Sequence, residues 1–140
     1  MIKRGYDPKA LVLTKKPKGV TIISGFPGYG LVATISTGFL LDHLKCEKIG
    51  TYYFEGAAPT IAIHQCKLID PIGIYYSKCC NLLIVHAITS VAGMEWAAAD
   101  LILDLYKQLQ AKEVISIEGV GSQAEGEPKA FYFTTEEKLK

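Results

Sequence analysis

A chain of 140 residues with 49% hydrophobic and 21% charged side chains is long enough for one domain with a real core and too apolar for disorder. Its formal net charge of +1 gives bulk electrostatics no reason to attract nucleic acid, no run approaches the length of a membrane span, and the first residues are too short and polar for a cleavable signal. The four cysteines, Cys46, Cys66, Cys79 and Cys80, form no C-x-x-C pair and no zinc spacing, so reduced thiols in a cytoplasmic protein without metal or cofactor are expected.

In chain order, Leu11 to Leu13 reads as a short edge strand, and Lys15, Lys16 and Lys18 around Pro17 as a solvated loop. Val20 to Ser24 is an unbroken apolar run suited to a buried central strand, and it ends in a shaped glycine turn, Gly25-Phe26-Pro27-Gly28-Tyr29-Gly30. A first helix follows from about Tyr29 to Leu44, with Leu31, Ile35 and Phe39 on one apolar stripe, Val32 and Leu40 beside it, and small residues (Ala33, Ser36, Thr37, Gly38) on another side that suits close packing on a sheet or a second helix. Ile49 to Phe54 is a second strand. Thr60 to Cys66 and Ile72 to Tyr76 read as an antiparallel hairpin attached to a mostly parallel sheet. Leu82 to Ile88 is another buried strand. The second helix, Met94 to Gln110, has the strongest periodicity, with Met94, Ala97, Ala98, Leu101, Ile102, Leu105 and Leu109 marking its apolar face. Val114 to Ile117 is a central strand, Phe131 to Phe133 a late one, and Thr134 to Glu137 a capping box opening a helix that stops at Lys140. Alternating strands and helices predict a three-layer α/β/α sandwich.

The carboxyl ends of parallel strands are where ligands gather in such sheets. There the chain places Ser24, His86 with Thr89 and Ser90, and Glu118. A serine, a histidine and a carboxylate on one edge is what a hydrolase or phosphorylase needs, and Ser24, His86 and Glu118 form the enzymatic alternative. Against it, no G-x-S-x-G elbow thrusts Ser24 outward; His86 reads also as a hydrogen-bonded strand-end histidine, and Ser90 as the N-cap of the second helix. The glycine turn follows neither nucleotide fingerprint: it runs G-x-x-G-x-G, and Gly30 leads into Leu31 and Val32 rather than Lys-Ser/Thr. Cys79-Cys80 offers a redox sensor with only Lys78 to lower a thiol pKa, which disfavours it. Tyr52, Tyr53, Phe54, Tyr75 and Tyr76 come in adjacent pairs, so some point away from the nearest core, and with the high apolar content they predict a homo-oligomer.

The run Gly25-Phe26-Pro27-Gly28-Tyr29-Gly30-Leu31-Val32, the helix ending at Asp42-His43-Leu44, the strand Leu82 to Thr89 leading into Glu95 to Gln110, and the strand ending in Gly119-Val120-Gly121 together resemble the proteasome assembly chaperone family. The resemblance spans roughly Val20 to Phe133. It implies a nucleoside phosphorylase-like fold in a single domain, residues 1–140, and a non-enzymatic module that binds proteasome α-subunits or related assembly factors. The glycine turn and the strand ends together make Gly25, Phe26, Pro27, Gly28, Tyr29, Gly30, His86, Ser90 and Glu118 the candidate binding residues. Relatives in that family are generally longer, so the chain is expected to be short at its C-terminus. Their docking tail, where present, ends hydrophobic-Tyr-any, which Lys138-Leu139-Lys140 does not match.

Overall fold

The computed structural model describes residues 5–121 and 126–137. A six-stranded sheet forms the centre, in the order β1-β3-β6-β7-β2-β8. Its strands are β1 (Val12–Leu13), β2 (Thr21–Gly25), β3 (Glu47–Thr51), β6 (Ile72–Ser77), β7 (Leu82–Ala87) and β8 (Glu113–Ser116). A separate two-stranded ribbon consists of β4 (Ala62–His64) and β5 (Lys67–Ile69). Two helices complete the fold, α1 (Val32–His43), preceded by a 3-10 turn at Tyr29–Leu31, and α2 (Glu95–Gln108).

The sheet is not mostly parallel. Only β2 pairs in parallel, with β7 on one side and β8 on the other; β1–β3, β3–β6 and β6–β7 are all antiparallel. The expected hairpin between Thr60–Cys66 and Ile72–Tyr76 is also replaced. The first run folds back on Lys67–Ile69, with Gln65 and Cys66 both in the left-handed region at the turn, and β6 instead joins the main sheet. The sequence pattern misled because alternation in a three-residue ribbon looks the same as alternation in a sheet strand.

Side-chain alternation along β2 and β7 divides the core between two faces. Val20, Ile22, Leu83, Val85 and Ala87, with Ile72 and Ile74 of β6, pack against Ala97, Ala98, Leu101, Leu105 and Leu109 of the α2 segment, the stripe the periodicity marks. Ile23, Ile84 and Tyr75 face the other way and pack with Leu40, Leu41 and Leu44 at the end of α1. β8 is an edge strand rather than a central one, and all four of its residues are exposed. Phe131–Phe133 forms no strand and lies exposed. Thr134 Oγ1 accepts from the Glu136 N–H at 3.0 Å, and the helix expected to follow the Thr134–Glu137 box falls, with Lys138-Leu139-Lys140, outside the described residues.

The first helix packs on the sheet by its small side. Its buried residues are Ala33 and Thr37, while Ile35 and Phe39 are each 65% exposed and Leu31 and Val32 are exposed as well. The small residues are in contact with the sheet, and the apolar stripe faces solvent. Gly25 explains why: a Cβ there would lie 2.5 Å from Thr37 Cγ2 and 2.8 Å from the Ala33 carbonyl oxygen. Helix α1 rides too low on β2 for large side chains to fit between them. None of the described helices is long and apolar enough to cross a membrane.

Candidate functional site

The glycine turn opens as β2 ends. Gly28 is extended (φ −142°), and its carbonyl accepts the Leu31 N–H at 3.1 Å; Gly30 (φ 64°) and Leu31 (φ 54°) are both left-handed. Two successive left-handed residues bend the chain from the 3-10 turn into α1. Gly30 tolerates this conformation, whereas Leu31 is strained by about 1–2 kcal/mol. Phe26 tucks toward the α2 core and Tyr29 points outward.

The loop after β8 lies against this turn. Ile117 donates its N–H to the Ser24 carbonyl at 3.2 Å, Gly119 passes against the Tyr29 carbonyl so closely that a side chain would collide with it, and a Cβ on Gly121 would sit 3.2 Å from the Tyr29 ring. The Glu118 carboxylate comes within 3.4 Å of where a Gly28 Cβ would be. This crevice is therefore closed by its own loop and carries an anion beside the turn. Both features oppose a phosphate.

The enzymatic alternative does not assemble, and period-two alternation is the reason. Ser24 sits opposite Val85, on the α2 side of the sheet, whereas His86 sits opposite Gly25, on the α1 side. The Ser24 hydroxyl reaches Ser116 Oγ at 3.3 Å, and Ser116 donates to Glu118 Oε1 at a weak 3.4 Å. This gives a serine–serine–carboxylate chain that His86 does not join. His86 is buried, with Nδ1 at 2.8 Å from Thr37 Oγ1 and its ring edge-on to Tyr75 at 6.5 Å. Thr37 also donates to the Ala33 carbonyl at 2.8 Å, which leaves its lone pair for the histidine Nδ1–H. Burial depresses the His86 pKa. It is the hydrogen-bonded strand-end histidine of the bland reading.

Ser90 does not cap α2, whose N-cap is Met94; its hydroxyl accepts the Ala92 N–H at 3.3 Å in the preceding loop, and Glu95 accepts from Gly93 N at 2.9 Å. The aromatic pairs also resolve. Tyr52, Phe54 and Tyr75 are buried, Tyr52 stacks on Tyr6, and exposed Tyr53 donates to Asp70 at 2.9 Å. Asp70 is itself buried and holds Lys48. Sequence reasoning missed this cluster, because Lys48 and Asp70 stand 22 residues apart in the chain and no local pattern links them. Among the exposed apolar side chains, which also include Ile61, Ile63, Leu68 and Trp96, the residues Tyr29, Leu31, Val32, Ile35 and Phe39 line up from the glycine turn down the outside of α1, where Phe39 stacks on His43 at 5.4 Å.

The PAC2 family model matches residues 22–140, a span that runs from the strand before the glycine turn to the end of the chain. The chain belongs to the PAC2 family. Solved structures agree. A Pyrococcus furiosus protein, PbaA, described as an archaeal homologue of proteasome-assembly chaperone, is 26% identical with a TM-score of 0.67 over 84% of this chain and 50% of its own. PbaB from the same organism, described as an archaeal proteasome activator, is 23% identical with a TM-score of 0.66 over 84% of this chain and 54% of its own. A Thermoplasma acidophilum protein of unknown function is 18% identical with a TM-score of 0.68 over 81% of this chain and 46% of its own. The last two show the shared fold alone. The chain spans about half the length of these PAC2-like structures. No curated protein matches. The resemblance read from the glycine turn is thus established at the level of the family.

Proposed function

We propose that this PAC2 chain is a non-enzymatic, cytoplasmic protein-binding module that assists the assembly of proteasome α-subunits, and that the outer stripe of α1 is its docking face. The observation that carries the reading is the orientation of that helix. Its small residues pack on the sheet, and Leu31, Ile35 and Phe39, at four-residue spacing, are presented to solvent. Such a stripe is the usual anchor set of a helix that binds another surface. On this reading Pro27, Gly28, Tyr29, Gly30, Ser90 and Glu118 are the remaining contact candidates, with Gly25 and His86 against the inner side of the helix. The separation of Ser24 from His86 favours binding over catalysis. The same surface, with exposed Phe131 to Phe133, supports self-association into a homo-oligomer, and the division of the sheet between two helices supports a single three-layer, nucleoside phosphorylase-like domain over residues 1–140.

Fully burying an isoleucine or phenylalanine side chain stabilises a complex by about 1.5–3 kcal/mol. Titrating Ile35→Asp and Phe39→Asp against purified proteasome α-subunits should therefore show affinity reduced at least about tenfold, with the melting temperature unchanged because both side chains are exposed. Undiminished binding by both variants would reject α1 as the docking face. No binding by the wild-type chain would reject the partner.

A further inference from the structure

The β6–β7 hairpin turn brings three sulfur atoms toward one hydroxyl. Ser77 closes β6 and pairs with Leu82, so the turn contains Lys78, Cys79, Cys80 and Asn81. Cys79 Sγ lies 3.2 Å from Ser77 Oγ and 3.1 Å from Cys80 Sγ, and both thiols are exposed. The β3–β6 register, with Glu47 opposite Tyr76, places half-buried Cys46 beside Ser77. The hydroxyl of Ser77, then the thiol of Cys80, favour the thiolate of Cys79, while the thiol of Cys80 is held protonated by its bond to Cys79 and burial raises Cys46. The group at hydrogen-bond distance from the Cys79 thiol is the hydroxyl of Ser77, two residues upstream at the end of β6.

We propose that Cys79 and Cys80 form a thiol–disulfide exchange site for small-molecule disulfides. Cys79 is the attacking sulfur and Cys80 the resolving one. The Cys79 thiolate attacks one sulfur of the disulfide, forms a mixed disulfide and expels the first thiolate. Cys80 gives up its proton, attacks the Cys79 sulfur and expels the second. The protein loses two electrons and two protons and becomes a Cys79–Cys80 disulfide; the reagent is reduced to two thiols. Adjacent Cα atoms stand about 3.8 Å apart across a trans peptide, below the roughly 4.4–6.8 Å that disulfides prefer. The closed ring is strained and readily reduced, which suits a reversible site rather than a structural staple. Closure also pulls on Asn81, whose side-chain amide donates to the Lys18 and Gly19 carbonyls at 3.2 and 2.9 Å and so ties the turn to the loop before β2.

Cys66 is exposed as well, at the β4–β5 turn, and serves as an internal control. The test treats the reduced protein with an aromatic disulfide, dithiobis-nitrobenzoate, and follows thiolate release with peptide mapping by mass spectrometry. Cys79 is expected to react about tenfold faster than Cys66, and the Cys79–Cys80 peptide to lose two hydrogens without retaining reagent. Cys80→Ser should leave the adduct standing on Cys79, and Cys46→Ser should change neither step. Reagent retained on both sulfurs of the wild type, equal rates at Cys79 and Cys66, or a Cys46–Cys79 disulfide would each overturn the assignment. The wild-type mapping alone decides the point if a variant fails to fold.

Discussion

Gly25→Ala is the sharpest perturbation the fold offers. The added methyl would meet Thr37 Cγ2 at 2.5 Å and Thr37 Oγ1 at 2.7 Å, with the Ala33 carbonyl oxygen at 2.8 Å. Carbon atoms settle near 3.5–4.0 Å, so α1 must lift from β2 by about 1 Å at this point. Overpacking of this kind costs about 1–3 kcal/mol. The lift also draws Thr37 Oγ1 from His86 Nδ1, now 2.8 Å away, and leaves a buried imidazole N–H short of a partner, at about 1–3 kcal/mol. A combined loss of roughly 2–5 kcal/mol is a large part of the 5–15 kcal/mol that holds a typical domain. Urea unfolding followed by circular dichroism should show the midpoint lowered by about 1–2 M. Thr37→Ala removes the two colliding side-chain atoms and already forfeits the histidine's partner. In that background Gly25→Ala should cost at least about 1 kcal/mol less than in wild type. Additive losses, or an unchanged midpoint for Gly25→Ala alone, would refute the account of how α1 sits on the sheet.

Gly38→Ala should act in the opposite direction: its Cβ would meet His86 Cε1 at an ordinary 3.6 Å, so helix propensity is expected to add about 0.5–1 kcal/mol in the same urea assay. Because burial depresses His86, the unfolded chain takes up a proton below about pH 6.5 that the folded chain refuses until lower pH. Stability should therefore be full above the unfolded value and fall as pH drops toward the folded one, and His86→Gln should flatten that part of the midpoint-versus-pH curve. Leu31→Asn places a residue tolerant of the left-handed region at φ 54° and should raise stability by up to about 1 kcal/mol while weakening α-subunit binding in titration.

How much of this was legible in the sequence follows physical lines. The α2 stripe was readable because large and small residues segregate cleanly around the helix, and the buried strands Thr21–Gly25 and Leu82–Ala87 because both their faces are apolar. Strand partners were not readable: an apolar run carries no sign of whether its neighbour is parallel, and β6 proved antiparallel on both sides. The small side of α1 was legible as a close-packing face, and Ala33 and Thr37 are its buried residues. Hydrophobicity marks a face but not what covers it, and the deciding signal was Gly25, whose missing side chain lets the small face approach. The Ser24, His86 and Glu118 set failed on parity, since one residue along paired strands moves a side chain through the sheet. Ser77 was overlooked beside Cys79 because a hydroxyl two residues away matters only once the strand end turns it toward the thiol.

The arrangement of α1 has a consequence for how such proteins diversify. Ala33 and Thr37 serve the interior, while Leu31, Ile35 and Phe39 serve the exterior, and no residue belongs to both sets. Selection on stability and selection on recognition therefore act on different letters of the same twelve-residue helix. A change of partner requires no compensating change in the core, so specificity can drift quickly on a scaffold that stays still. Homologues that recognise different surfaces should keep small residues at the positions of Gly25, Ala33 and Thr37 and vary most freely at those of Ile35 and Phe39.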